Sequence, residues 1–194
     1  MNASRLAVYT FEIFREPAES PVNQGFYDRS ETNFRTAELS EGFISRSGYQ
    51  DQPGPGSWGE QVFPHFYVER GDAWSPSTLS LWCDLPTAMA FSYGPVHAEA
   101  MRHARDWFVP ATWPPYVLWW VEAGDRPDWA EAVARHALLH ERGPLPEAFD
   151  FKTPFGQDGL PTRIDRAVLK RMIQANAERQ RLADLDHAAS LPAL

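Results

Sequence analysis

A tyrosine and a histidine four residues apart, Tyr93 and His97, are the first side chains in this sequence whose types and spacing could do chemistry. On one helix, a spacing of four stacks two side chains on a common face. An imidazole titrates near neutrality and serves as acid, base or metal ligand, and a phenol beside it holds a substrate oxygen or supplies a proton. Gly94 and Pro95 stand between the two, so the alternative is a helix break that parts them. From His97 the stripe continues through Met101, Ala104 and Phe108. A histidine on such an apolar face is either a satisfied core residue or a functional one. Asn33 is the third candidate. It shares one side of a helix with Val22, Phe26 and Ala37 and so faces inward, where its amide orients a carbonyl or caps buried backbone.

Other residues fit supporting roles. Trp82 in SLWCDL and Trp119 with Trp120 in VLWWV lie on strands, and alternation sends Trp119 and Trp120 to opposite faces. Each tryptophan is either core or a flat wall for a substrate ring. Arg46 either binds a carboxylate or enolate or pairs with Asp84 or Glu122. His136 and His140 have metal-ligand spacing, but Ala137 stands where a zincin has its glutamate and no third ligand is evident, so they read as a surface or interface pair. His65 projects into the interior or away from it according to strand register. The single cysteine, Cys83, sits in an apolar run and reads as an inert buried thiol.

These side chains need a scaffold. Residues 6–14 alternate as a strand with Ala7, Tyr9, Phe11 and Ile13 on one face. Ser20 and Pro21 then open a helix that runs to about Leu39 and ends at Gly42. A second strand follows over residues 42–49, with residues 62–69 as its expected partner across a loop rich in Gly and Pro. The run STLSLWCDL is another strand, followed by a short helix at 87–91, a longer one at 95–108, a central strand at 116–124 and a helix at 127–142. A last helix spans about 162–183, with Ile164, Val168, Met172 and Ala175 on one stripe, and it either clasps a partner or caps its own sheet. Strand, helix, strand, strand, helices, strand is the order of a ferredoxin-like antiparallel sheet with helices on one face. A second copy is the usual cover for the open face. The expectation is therefore an α+β barrel domain over residues 1–155 and a helical extension over 156–194.

Composition narrows the function. A net charge of −8 and the absence of a basic face argue against nucleic acid or anionic membrane as partner. No apolar run is long enough to span a bilayer and no secretory signal is visible, so the expected location is the cytoplasm without membrane insertion. Dinucleotide, nucleotide and serine-hydrolase motifs are missing. Aromatic residues make up 13% of the chain, a content that suits a cavity for a flat lipophilic ligand as well as it suits a core.

The segment SLWCDLPTAMAFSYGPVHAEAMRHARDWF and the following PPYVLWWVEAGDRPDWAEAVARHALLHERGPLPEAFDF resemble the DUF3291 family, as do the upstream Asn33, Gly42, Phe43 and Arg46. The resemblance covers about residues 5–151. It implies a dimeric α+β barrel related to antibiotic-biosynthesis monooxygenases, and more distantly similar to spheroidene monooxygenase and heme-degrading oxygenases, in a family with no assigned reaction. The chain departs from the pattern at Ser77 and Thr78, where family members commonly carry an asparagine, and in its tail after Phe155.

The expected function is a small-molecule enzyme for a lipophilic, polyketide-like substrate, a monooxygenase-like oxidoreductase working as a homodimer. His97 moves the proton, Tyr93 and Asn33 bind the oxyanion, and Trp82, Trp119, Arg46, Met101 and Tyr9 contact the substrate. A redox-neutral cyclase, isomerase or dehydratase in the same cavity is one alternative; a carrier or heme-binding protein is another, and a structural dimer without a cavity is a third. No cofactor is required in the first reading. If heme binds, His97 is its first ligand candidate and His103 its second, because the ligand of the heme-degrading relatives lies about a turn later on this helix, closer to Met101 or His103.

Overall fold

The structure is a computed structural model that describes residues 4–190, with side chains through residue 185. Strand β1 (Arg5–Phe11) is apolar on both sides: Leu6 and Val8 point one way, Ala7, Tyr9 and Phe11 the other, and all are buried. Such a strand belongs in the middle of a sheet covered twice. After one 3-10 turn at Pro21–Asn23, helix α1 (Gln24–Leu39) leads to the short strand β2 (Phe43–Arg46). Strand β3 (Ser77–Trp82), helices α2 (Leu85–Ser92), α3 (Pro95–Arg102) and α4 (Ala104–Trp107), and strand β4 (Tyr116–Val121) follow. Helices α5 (Trp129–Arg142) and α6 (Arg166–Ser190) complete the chain.

The sheet order is β2-β3-β1-β4 and every pairing is antiparallel, the ferredoxin-like arrangement. The α+β class expected from the sequence stands. Residues 62–69 are not a strand, and β2 pairs with β3 instead. Pro64 has no N–H to give to a ladder, and its carbonyl accepts from the Tyr67 amide at 2.9 Å, closing a turn.

Register assigns the faces. Leu6 pairs with Trp82 on one side and Trp120 on the other, and Ala7 with Leu81 and Trp119. The first face, with Leu6, Val8, Trp82 and Leu118, packs against Ala37 of α1, Leu85 and Ala88 of α2, and Phe149. The second face, with Ala7, Tyr9, Phe11, Leu81 and Trp119, packs against Trp129, Ala132 and Leu139 of α5 and against Trp58. Tyr49, Val62, Phe63, Phe66 and Tyr67 join it from the segment that links β2 to β3. Helices therefore lie on both faces rather than one. The surface that a barrel partner would cover is already buried by this chain's own α5 and by residues 47–76. The cause is α5's apolar stripe, Trp129, Ala132, His136 and Leu139, at spacings of three, four and three.

Two local features fix the helix face. Asp84 caps α2 by accepting from the Thr87 amide at 2.9 Å, and the Thr87 hydroxyl lies 3.2 Å from the Asp84 amide as its acceptor. Gly42 has a φ of +74°, and a Cβ there would overlap the Thr87 side chain, so the turn into β2 needs glycine. Helix α6 caps its own fold: the Asn176 Oδ1 accepts from the Glu41 amide at 3.0 Å, the Thr36 hydroxyl donates to Gln180 at 3.1 Å, and Arg35 donates to the Ala183 carbonyl at 3.0 Å.

Candidate functional site

The expected Tyr93 and His97 pair is split by the backbone. Tyr93 caps the end of α2, Gly94 is extended, and Pro95 starts α3 on a new axis. Tyr93 is 53% exposed, its ring 6.3 Å from that of Phe151. His97 turns back instead, and its Nδ1 lies 2.9 Å from the Ser92 carbonyl. A ring nitrogen facing a carbonyl carries the proton, which leaves the lone pair on Nε2. Burial pushes the His97 pKa below its ordinary value, so the ring is neutral at pH 7. It rests 5.1 Å from Phe91, which stacks on Trp82 at 5.3 Å, with Phe43 edge-on to the same indole.

Around this row of rings the remaining expected partners scatter. The Asn33 amide donates to its own helix at the Arg29 carbonyl, 2.9 Å away, while its Oδ1 is buried with no partner among the described residues. Arg46 pairs with Glu38 at 2.9 Å, not with Asp84 or Glu122, and lies 4.1 Å over the Phe34 ring. Met101 is 46% exposed. The long helix expected over 95–108 breaks at His103, whose ring sits between Glu99 at 3.2 Å and Asp106 at 3.3 Å. The small space beside Phe91, Val96, Thr36 and Gln180 has a volume of about 10 Å³, room for one water at most. An open depression of about 450 Å³ at residues 156–162 includes none of the candidate side chains. Neither His97 nor His103 lines either of these two spaces.

Trp82 and Trp119 lie on opposite faces of the sheet, so they cannot hold one substrate ring between them. Trp119 instead shares the second face with Tyr9 and with a residue that sequence reading placed on the surface, His136. Both Tyr9 and His136 are completely buried, their rings 5.6 Å apart edge to face. Trp129 meets Tyr9 at 6.2 Å, and Phe66 covers His136 at 5.6 Å while stacking on Trp113 at 4.9 Å. The His136 Nε2 is hydrogen-bonded to the Pro114 carbonyl. Its tautomer is therefore the reverse of that of His97, with the lone pair on Nδ1.

Three polar atoms of this second face, Tyr9 Oη, Trp119 Nε1 and His136 Nδ1, are buried without a partner among the described residues. Each such atom costs about 1–3 kcal/mol when left dry, and nearly all buried polar groups find a protein, water or ligand partner. Two donors and one acceptor on one core face are thus left unsatisfied by the described residues. The surroundings are uncharged. Burial, with Tyr49 nearby, pushes the Tyr9 hydroxyl far above its ordinary range, and burial pushes the His136 pKa down. Tyr49, which donates to the Ser77 carbonyl at 2.6 Å, is raised by burial to about 12. A neutral imidazole facing a neutral phenol can take one proton and give another in a site that discourages ions.

The signal for this centre was present in α5: His136 occupies the apolar stripe, and His140, four residues on, is exposed. Cys83 also departs from expectation. It is exposed where β3 ends, its amide bonded to the Gly42 carbonyl at 2.8 Å. Glu12, just past β1, is pushed up to about 7 by burial. Among the described residues, no three His, Cys, Asp or Glu side chains gather closely enough to hold a metal ion, and no helix is long and apolar enough to cross a membrane.

Comparison with known proteins adds one finding. The model of a domain of unknown function, DUF3291, matches residues 5–165. No curated protein and no solved structure matches the chain.

Proposed function

We propose that this chain, which belongs to the DUF3291 family, is a small-molecule enzyme that takes an uncharged aromatic or polyketide-like molecule between its sheet and α5. The observation that carries the reading is the pair of buried, unpartnered atoms Tyr9 Oη and His136 Nδ1 inside an aromatic wall. His136 Nδ1 accepts a proton from an acidic C–H or O–H of the substrate. Tyr9 and Trp119 donate to the oxygen on which charge develops. In the monooxygenase-like version, dioxygen is the oxidant: a methylene flanked by rings becomes a carbonyl, and the second oxygen atom leaves as water with the two hydrogens. In the redox-neutral version, the same proton returns at another atom and the product is an isomer or a cyclised form. The homodimer implied by the resemblance belongs to this proposal as well, built through a surface other than the covered sheet face.

Entry requires Phe66 to leave its stack on Trp113. The packing of that ring over His136 favours a second reading, in which the interior is simply a filled aromatic core.

The test is oxygen uptake and product mass with a panel of anthrones and hydroxynaphthalenes, using the wild type and the variants Tyr9→Phe, His136→Gln and His97→Ala. Losses of about 100-fold or more in the first two, with His97→Ala near wild type, are expected. Turnover that survives in both Tyr9→Phe and His136→Gln but disappears in His97→Ala returns the chemistry to the first face. The absence of turnover and of binding across the panel, also after Phe66→Ala opens the wall, favours the filled core.

A further inference from the structure

His65 and His140 bring two exposed imidazoles together from different parts of the chain. His65 lies in the turn closed by the Tyr67 amide and the Pro64 carbonyl, and His140 lies in the last turn of α5. Their ring centres are 6.4 Å apart. Phe66 fixes both: its ring meets that of His65 at 5.0 Å and that of His140 at 5.5 Å, each edge to face. Phe66 is in turn anchored on Trp113 and Phe11, so the turn that carries His65 is held against α5.

We propose that His65 and His140 form a binding site for a divalent transition metal, which fastens the segment between β2 and β3 to α5. A metal about 2.0–2.1 Å from an imidazole nitrogen lies roughly 3.2 Å from the ring centre, and a tetrahedral pair of imidazoles then has centres about 5 Å apart. Closing the observed separation takes about 1 Å, well within one rotamer adjustment of an exposed side chain. Imidazole ligands select borderline metals such as zinc, nickel and copper over magnesium or calcium. Water fills the remaining positions, since no third His, Cys, Asp or Glu joins the pair among the described residues. The C-terminal end of α5, where carbonyl dipoles point outward, and the net charge of −8 both favour a cation.

The consequence is mechanical. The segment between β2 and β3 supplies Trp58, Phe63 and Phe66 to the second face yet has no helix or strand of its own. A metal bridging His65 and His140 ties its middle to a rigid helix. The site stands whether or not the face beneath it is catalytic.

The experiment uses tag-free protein titrated calorimetrically with zinc and nickel salts, alongside hydrogen exchange of residues 47–76 with metal and with chelator. One equivalent is expected to bind, and His65→Ala and His140→Ala are each expected to weaken binding about tenfold or more, while His103→Ala leaves it unchanged. Zinc should slow exchange in residues 47–76 of the wild type and in neither His65→Ala nor His140→Ala. Thermal melts without metal show that the variants fold. Binding that persists in both single variants, binding without protection of the segment, or no binding would each overturn the proposal.

Discussion

Glu12→Gln should stabilise this protein, and more strongly as the pH rises. The Glu12 carboxyl sits at the end of β1, where its backbone amide donates to the Pro76 carbonyl at 2.9 Å and its carbonyl accepts from the Ser75 hydroxyl. Burial raises its pKa from the ordinary 4.5 to about 7, with no compensating cation. The folded state thus holds the proton more tightly than the unfolded chain. Below pH 4.5 the group is neutral in both states and costs nothing. Between 4.5 and 7 the unfolded chain ionises first, and stability falls; above 7 the loss is complete. A shift of this size corresponds to about 3 kcal/mol at most, and partial solvent access reduces it to about 1–2 kcal/mol. Glutamine keeps the shape and removes the titration. Urea unfolding at pH 5 and pH 8 should show the variant gaining about 1–2 kcal/mol at pH 8 and roughly a quarter of that at pH 5. An equal gain at both pH values, or none at pH 8, would refute the assignment of the shift to burial.

Two further outcomes follow from the same reasoning. In nitrogen-15 spectra, His97 and His136 should be neutral at pH 7 and show opposite tautomers, Nδ1–H in His97 and Nε2–H in His136. Both pKa values are lowered by burial, so the stability these residues contribute is intact above the ordinary histidine pKa and declines as the pH falls toward their folded values; a charged ring at pH 7 in either case contradicts the geometry. Gly42→Ala should cost about 2–3 kcal/mol in chemical denaturation, from the positive φ and the overlap with Thr87 together, and a change below about 0.5 kcal/mol would mean the turn relaxes freely.

The strands were legible where composition and alternation agreed, as in β1, β3 and β4. Residues 62–69 are as rich in strand formers as any of these, but Pro64 and the anchoring of Phe63 and Phe66 in the core outweigh that propensity. Alternation within one strand says that neighbours face opposite ways, yet it does not say which residue of the next strand shares a face. Trp82 and Trp119 were expected together, and the register of both strands against β1 separates them. The His136 and His140 spacing was read as one surface or interface pair; the two do share a helix face, but His136 lies in the packed part of α5 and His140 in its exposed last turn. The break between Tyr93 and His97 was visible as Gly94 and Pro95, and only the observed backbone chooses between the two geometries that those residues allow.

The cover that α5 and residues 47–76 provide for the second sheet face has a thermodynamic consequence. Where such a face is closed by another molecule, folding includes an association step and the unfolding midpoint moves with protein concentration. Here the closing groups are tethered to the sheet they cover, so their local concentration is set by chain length and does not fall on dilution. The cover of this sheet face is thus supplied within one molecule, and dilution alone does not uncover it.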